Sequence, residues 1–106
     1  MAMELTKTDD GNGVCTIAVS GEIDLYSSPN LRTAITDSAP TASKTICINL
    51  GSVEYMDSSG VATLVEGLRA AMERKIEFVL VAPSPPVLKV LQLSRLDTVF
   101  TIRDKA

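Results

Sequence analysis

Hydrophobic positions along the chain recur with two periods, and each switch of period marks an element. Residues 14–20 alternate, with Cys15, Ile17 and Val19 on one side, as a half-buried strand requires. Residues 3–8 carry a weaker alternation through Met3, Leu5 and Lys7. Between them Asp9-Asp10-Gly11-Asn12-Gly13 is rich in residues that tolerate positive φ, a turn signal. The pair is predicted to be an N-terminal hairpin. Residues 44–50 form a third strand, with Ile46, Ile48 and Leu50 on one face and Thr45, Cys47 and Asn49 on the other. Residues 76–82 are almost wholly apolar, the pattern of a central strand covered on both faces.

Helical spacing fills the gaps. Ser28-Pro29 opens a first helix, with Ser28 as cap and Pro29 at the first helical position, where the missing N–H costs nothing. Leu31, Ala34, Ile35 and Ala39 are its buried stripe. A second helix follows Asp57, with Val61, Leu64, Val65, Leu68 and Met72 inward and Thr63, Glu66 and Arg69 mostly elsewhere. Gly67 inside it costs about 1 kcal/mol relative to alanine, which a close approach to the sheet would explain. A third helix begins near Pro85 or Pro86 under Ser84, with Val87, Leu88, Val90, Leu91 and Leu93 as its apolar side. Residues 97–102 carry a last strand or a short helix.

The alternation predicts an α/β fold: a mixed, mostly parallel sheet of four to five strands, an N-terminal hairpin and three to four helices. Gly21 reads as the end of the second strand, and the residues between Leu50 and Asp57 as a loop. Sites on such sheets gather at the carboxyl ends of strands. Residues 21–25 and 56–60 both follow strands, so parallel neighbours would bring them to one edge.

Composition narrows the possibilities. The length of 106 residues fits one domain, residues 1–106. A net charge of −3 without a basic cluster argues against nucleic acid as a partner. No apolar run reaches the roughly 18 to 20 residues needed to cross a bilayer. Met1-Ala2-Met3-Glu4 lacks the basic start and apolar run of a signal peptide. A cytoplasmic protein with no membrane insertion is therefore expected. The chain has no histidine, which removes histidine-based acid–base chemistry and histidine metal ligation. Cys15 and Cys47 lack CxxC spacing and read as buried thiols. No catalytic set, metal site or cofactor is expected.

What remains is the polar stretch Asp57-Ser58-Ser59-Gly60 between a strand and a helix. Asp57 suits a helix N-cap. Ser58 and Ser59 would then sit at the positive end of the helix dipole, where an added anion is best tolerated. Capping alone explains the residue types; so does a site of phosphate addition or a partner surface. Glu22 and Asp24 divide in the same way, between a polar turn and a part of that surface.

Residues 55–61, Tyr-Met-Asp-Ser-Ser-Gly-Val, resemble the signature of the STAS domain in bacterial anti-sigma-factor antagonists. Gly21-Glu22-Ile23-Asp24-Leu25 is similar to that family's Gly-Glu-apolar-Asp segment, and Ser28-Pro29-Asn30-Leu31 to its helix start. Residues 81–85, 90–91 and 94–96 resemble its last helix and exit. The resemblance implies a STAS-type fold and a partner switch. The unphosphorylated antagonist binds an anti-sigma factor that is also a serine kinase, freeing the sigma factor. Phosphorylation from ATP releases the kinase, and a serine phosphatase resets the system. The family's phosphorylated serine falls on Ser58, with Ser59 as runner-up; Glu22, Asp24, Asp57, Ser58, Ser59 and Gly60 would meet the partner. Similar stand-alone domains bind the ATPase of phospholipid-transport ABC systems, the alternative reading. There the helix start often carries a threonine or lacks the second serine, whereas both serines stand here.

Overall fold

The computed structural model describes residues 3–105. Among them the chain runs β1 (Glu4–Asp9), β2 (Val14–Ile23), α1 (Ser28–Ser38), β3 (Thr45–Met56), α2 (Ser58–Glu73), β4 (Glu77–Val81), α3 (Pro85–Leu93) and β5 (Thr101–Arg103). The predicted hairpin is present, β1 antiparallel to β2. The remaining strands pair in parallel, giving a five-stranded sheet in the order β1-β2-β3-β4-β5. The C-terminal segment left open between strand and helix forms the short strand β5.

A strand order that never reverses has a consequence for the layers. Crossovers of one hand, each stepping the same way across the sheet, deliver every helix to the same face. Leu31 and Ile35 of α1, Leu64 and Ala71 of α2, and Val87 and Leu91 of α3 accordingly join one core cluster with Ile17, Ile48 and Leu80. β4 is buried on both faces, as expected, but helices cover only one of them. Val79 and Val81 project to the other side and form a small cluster with Cys47, in which no helical residue takes part.

The helical stripes also need adjustment. In α2 the buried face runs through Gly60, Val61, Thr63, Leu64, Gly67 and Ala71, while Met72 is 67% exposed. Small residues set this face because the helix lies close to the sheet. A Cβ at Gly67 would stand 2.8 Å from the Phe78 ring, which accounts for the mid-helix glycine. Thr63 is buried because its hydroxyl donates to the Ser59 carbonyl at 2.9 Å. Leu93, expected on the apolar side of α3, is exposed at the end of the helix.

Two strands run further than alternation suggests. β2 does not end at Gly21; that glycine, at φ +89°, kinks the chain and the strand continues to Ile23. The segment read as a loop after Leu50 is the second half of β3. Residues Ala18 and Ser20 face Asn49 and Ser52, and Gly21 and Glu22 face Val53 and Tyr55. Each interval holds one residue more in β3 than in β2, the mark of a β-bulge. Burial then falls on Leu50, Val53 and Met56, at every third position.

Past Asn49 the strand has no partner in β4, whose pairing ends at Val81. Ser84 takes over. Its N–H donates to the Leu50 carbonyl at 3.2 Å and its hydroxyl to the Val53 carbonyl at 2.6 Å. Buried backbone acceptors need such partners. Ser84 thus stands at the N-cap of α3 without making a side-chain cap bond.

Candidate functional site

The extended halves of β2 and β3 end together, Ile23 opposite Met56. The Asp57 N–H donates to the Ile23 carbonyl at 3.2 Å. The loop after β2 and the start of α2 are therefore tied side by side at the carboxyl edge of the sheet. Glu22 faces Tyr55 across the same pair of strands.

Asp57 caps α2. Its backbone is extended, with φ −108° and ψ −170°, and Oδ1 accepts the Ser59 N–H at 2.9 Å. The Ser59 hydroxyl donates to the same oxygen at 2.5 Å. Ser59 therefore has both its N–H and its hydroxyl committed to the cap. Ser58 differs: it is exposed, and its hydroxyl has no partner among the described residues. Two serines alike in sequence are thus unlike in chemistry. The free one stands in the first turn of a 16-residue helix, where backbone N–H groups are unpaired and the dipole favours an anion.

Gly60 is buried and belongs to the packing beneath the surface. A Cβ there would lie 2.5 Å from Met56 Cγ and 2.8 Å from Ile23 Cγ2. Its close approach is internal, and it lets the start of α2 seat against the ends of β2 and β3.

Asp24 organises the neighbouring loop. Its Oδ1 accepts the N–H groups of Tyr26 and Ser27, each at 2.9 Å, and lies 3.1 Å from the Ser27 hydroxyl. That hydroxyl accepts from the Asp24 N–H and donates to the Glu22 carbonyl, both at 2.9 Å. The bond from the Ser27 N–H is the main reason the Asp24 carboxyl is held below its ordinary range, with the Ser27 hydroxyl and Tyr26 N–H adding to it against some desolvation. The N-cap of α1 is Ser27, one residue earlier than expected, and it makes no side-chain cap bond to the helix. Ser28 is buried, its N–H donating to the Asp24 carbonyl at 2.8 Å.

Sequence reasoning passed over the apolar side chains of this edge. Leu25 is 69% exposed, Tyr26 89% and Tyr55 49%. The available signal was their position: large apolar residues in the two segments where alternation had stopped.

Comparison with known proteins agrees with this geometry. Residues 5–106 match the STAS domain model. The anti-sigma-B factor antagonist of Listeria monocytogenes is 28% identical over 88 residues, covering 83% of this chain and 77% of that protein. The anti-sigma factor antagonist SpoIIAA in its unphosphorylated form superimposes with a TM-score of 0.80 at 27% identity, over 93% of this chain and 87% of that one. The Bacillus SpoIIAA structure in the phosphorylated form gives 0.74 at 26%, over 93% and 90%. No helix among the described residues is long and apolar enough to cross a membrane. The match over residues 5–106 and the shared five-stranded architecture make this chain a member of the STAS domain family, and the relatives just named are anti-sigma-factor antagonists.

Proposed function

We propose that this chain is an anti-sigma-factor antagonist whose binding is controlled by phosphate on Ser58. In its unphosphorylated form it binds an anti-sigma factor that is also a serine kinase, and so releases the sigma factor. The observation that carries the assignment to Ser58 is the division of labour at the start of α2. The Ser59 hydroxyl is held by Asp57 at 2.5 Å, while Ser58 is exposed and unpartnered among the described residues. A relative solved in both unphosphorylated and phosphorylated forms supports the same reading.

In the transfer, Ser58 Oγ bonds to the γ-phosphorus of kinase-bound ATP. The bond from that phosphorus to the β,γ-bridging oxygen breaks, ADP leaves, and the hydroxyl proton passes to a base on the kinase. The product adds about −1.5 to −2 charges to a chain whose net charge is −3. The helix N-terminus offsets part of the cost to the antagonist's own fold. The partner gains no such relief, because the new charge stands beside Asp57 on the contact surface. A serine phosphatase returns the hydroxyl.

The test is incubation with the anti-sigma serine kinase and ATP, followed by intact-mass and peptide analysis. One phosphate on Ser58 is expected, absent in Ser58→Ala, which still binds the kinase. Phosphate on Ser59 or on a threonine overturns the assignment.

A further inference from the structure

We infer that Leu25, Tyr26 and Tyr55 are the anchor by which this edge holds its partner, and that they enter an apolar recess on the anti-sigma kinase. The inference rests on the proposed function and specifies where the affinity of that site resides. The chain has two tyrosines and two phenylalanines. Phe78 and Phe100 lie in the core, 3% and 5% exposed, whereas Tyr26 and Tyr55 are 89% and 49% exposed at the edge that carries Ser58. Large exposed apolar groups grouped at one edge mark a contact surface.

The turn that carries Leu25 and Tyr26 is built before any partner arrives. The Tyr26 and Ser27 N–H groups are both fixed on Asp24. Tyr55 rises from a paired strand position opposite Glu22. Side chains on a preset backbone lose less entropy on docking.

Charge decides the chemistry of the recess. Glu22, Asp24, Glu54 and Asp57 lie in these segments, and residues 21–31 and 45–68 contain no Lys or Arg. A partner held here by its own cations would be held more firmly once Ser58 gained a phosphate. Release on phosphorylation requires the opposite: affinity from a dry apolar contact, which a strongly hydrated dianion at its margin disrupts. An apolar centre within a charged rim is also the usual anatomy of an interface hot spot.

The test is titration calorimetry of the full chain against the anti-sigma kinase. Tyr26→Ala and Leu25→Ala are each expected to weaken binding by about tenfold or more, with thermal unfolding unchanged. Tyr26→Phe is expected to restore binding, since the ring is needed and its hydroxyl is not. Affinity of the wild type is expected to change by less than about threefold between low and moderate salt, because apolar contacts are not screened. Wild type failing to bind overturns the proposed function itself. Wild type binding while Tyr26→Ala binds equally well, or binding that collapses with salt, overturns the anchor alone.

Discussion

The two halves of the β2–β3 ladder are built from one pair of strands and obey different rules. From Val14 opposite Thr45 to Ala18 opposite Asn49 the register is one to one. From Ala18 opposite Asn49 to Ile23 opposite Met56, β3 carries two extra residues. Both halves are well buried on the helix side: Ile46 and Ile48 are 0% exposed, as is Leu50, and Val53 and Met56 are each 2% exposed. Irregularity therefore cost the core little. What changed is which residues face out. Gly51, Ser52, Glu54 and Tyr55 are exposed in the bulged half, which then delivers Asp57 and Ser58 to the edge. The regular half holds the fold together; the bulged half aims side chains.

Substitutions of equal modesty in the two halves should separate these roles. Ile48→Ala in the regular half leaves a cavity and is expected to lower stability by about 2–5 kcal/mol. The protein that remains folded should still accept phosphate on Ser58 at the wild-type rate. Gly60→Ala overpacks the seat of α2 against Met56 and Ile23 and is expected to cost about 1–3 kcal/mol. Its folded form should accept phosphate more slowly, because the helix start is displaced. Denaturant unfolding paired with initial phosphorylation rates reads both quantities. A Gly60→Ala protein that is as stable as wild type and phosphorylated as fast would show that the seat does not brace the site.

The same division explains what was legible in the sequence. Strands with a one-to-one register keep a period of two, so Cys15, Ile17 and Val19, and Ile46, Ile48 and Leu50, announce their face. A bulge inserts a residue and resets the period, so Leu50, Val53 and Met56 fall three apart and read as a loop. Gly21 reads as a stop because glycine punctuates strands, yet at φ +89° it kinks one that continues. The polar cap was legible because capping is local: Asp57 reaches only to Ser59. The single helical layer was not, since it follows from strand order, which pairing over long range decides. Nor was the difference between Ser58 and Ser59, which depends on one hydroxyl rotamer.

A smaller effect tests the loop that the bulged half sets in place. Asp24 has a folded-state pKa below the ordinary 3.8, chiefly through the Ser27 N–H. Its contribution to stability is complete above that ordinary value and is lost as pH falls through the lowered one. The stability of wild type minus that of Asp24→Asn should therefore narrow on acidification below pH 3.8. Urea unfolding of both proteins from about pH 6 to about pH 2 checks this. A difference that stays constant across that range would mean that the charge on Asp24 does not hold the turn.

The last comparison lies within the regular half, between its two faces. On the helix side Cys15 is buried by the core. On the other side Cys47, Val79 and Val81 are 4%, 0% and 3% exposed although no helix covers them. Val14 and Ala82 pack against them, and beside them on the edge strand β5 stands Arg103. It pairs with Val81 in the ladder, yet its guanidinium reaches Glu77 Oε2 at 3.5 Å, four residues back along β4. Its side chain must therefore lie along β4 past Val79, and its charge is felt by Cys47. An exposed ion pair of this kind adds only about 0–1 kcal/mol, whereas the aliphatic stem of an arginine can shield apolar surface. Burial pushes the Cys47 thiol up, and Arg103 lowers it by less. Arg103→Ala removes the charge that lowers the thiol, and the solvent access it opens is expected to outweigh that loss. Cys47 should then react several-fold faster with a thiol reagent at neutral pH, with little change in melting temperature. Cys15, the only other thiol, is the internal control and should be unaffected. Equal acceleration at both cysteines would indicate general loosening, and no acceleration at Cys47 would show that the strands themselves, not Arg103, seal this face.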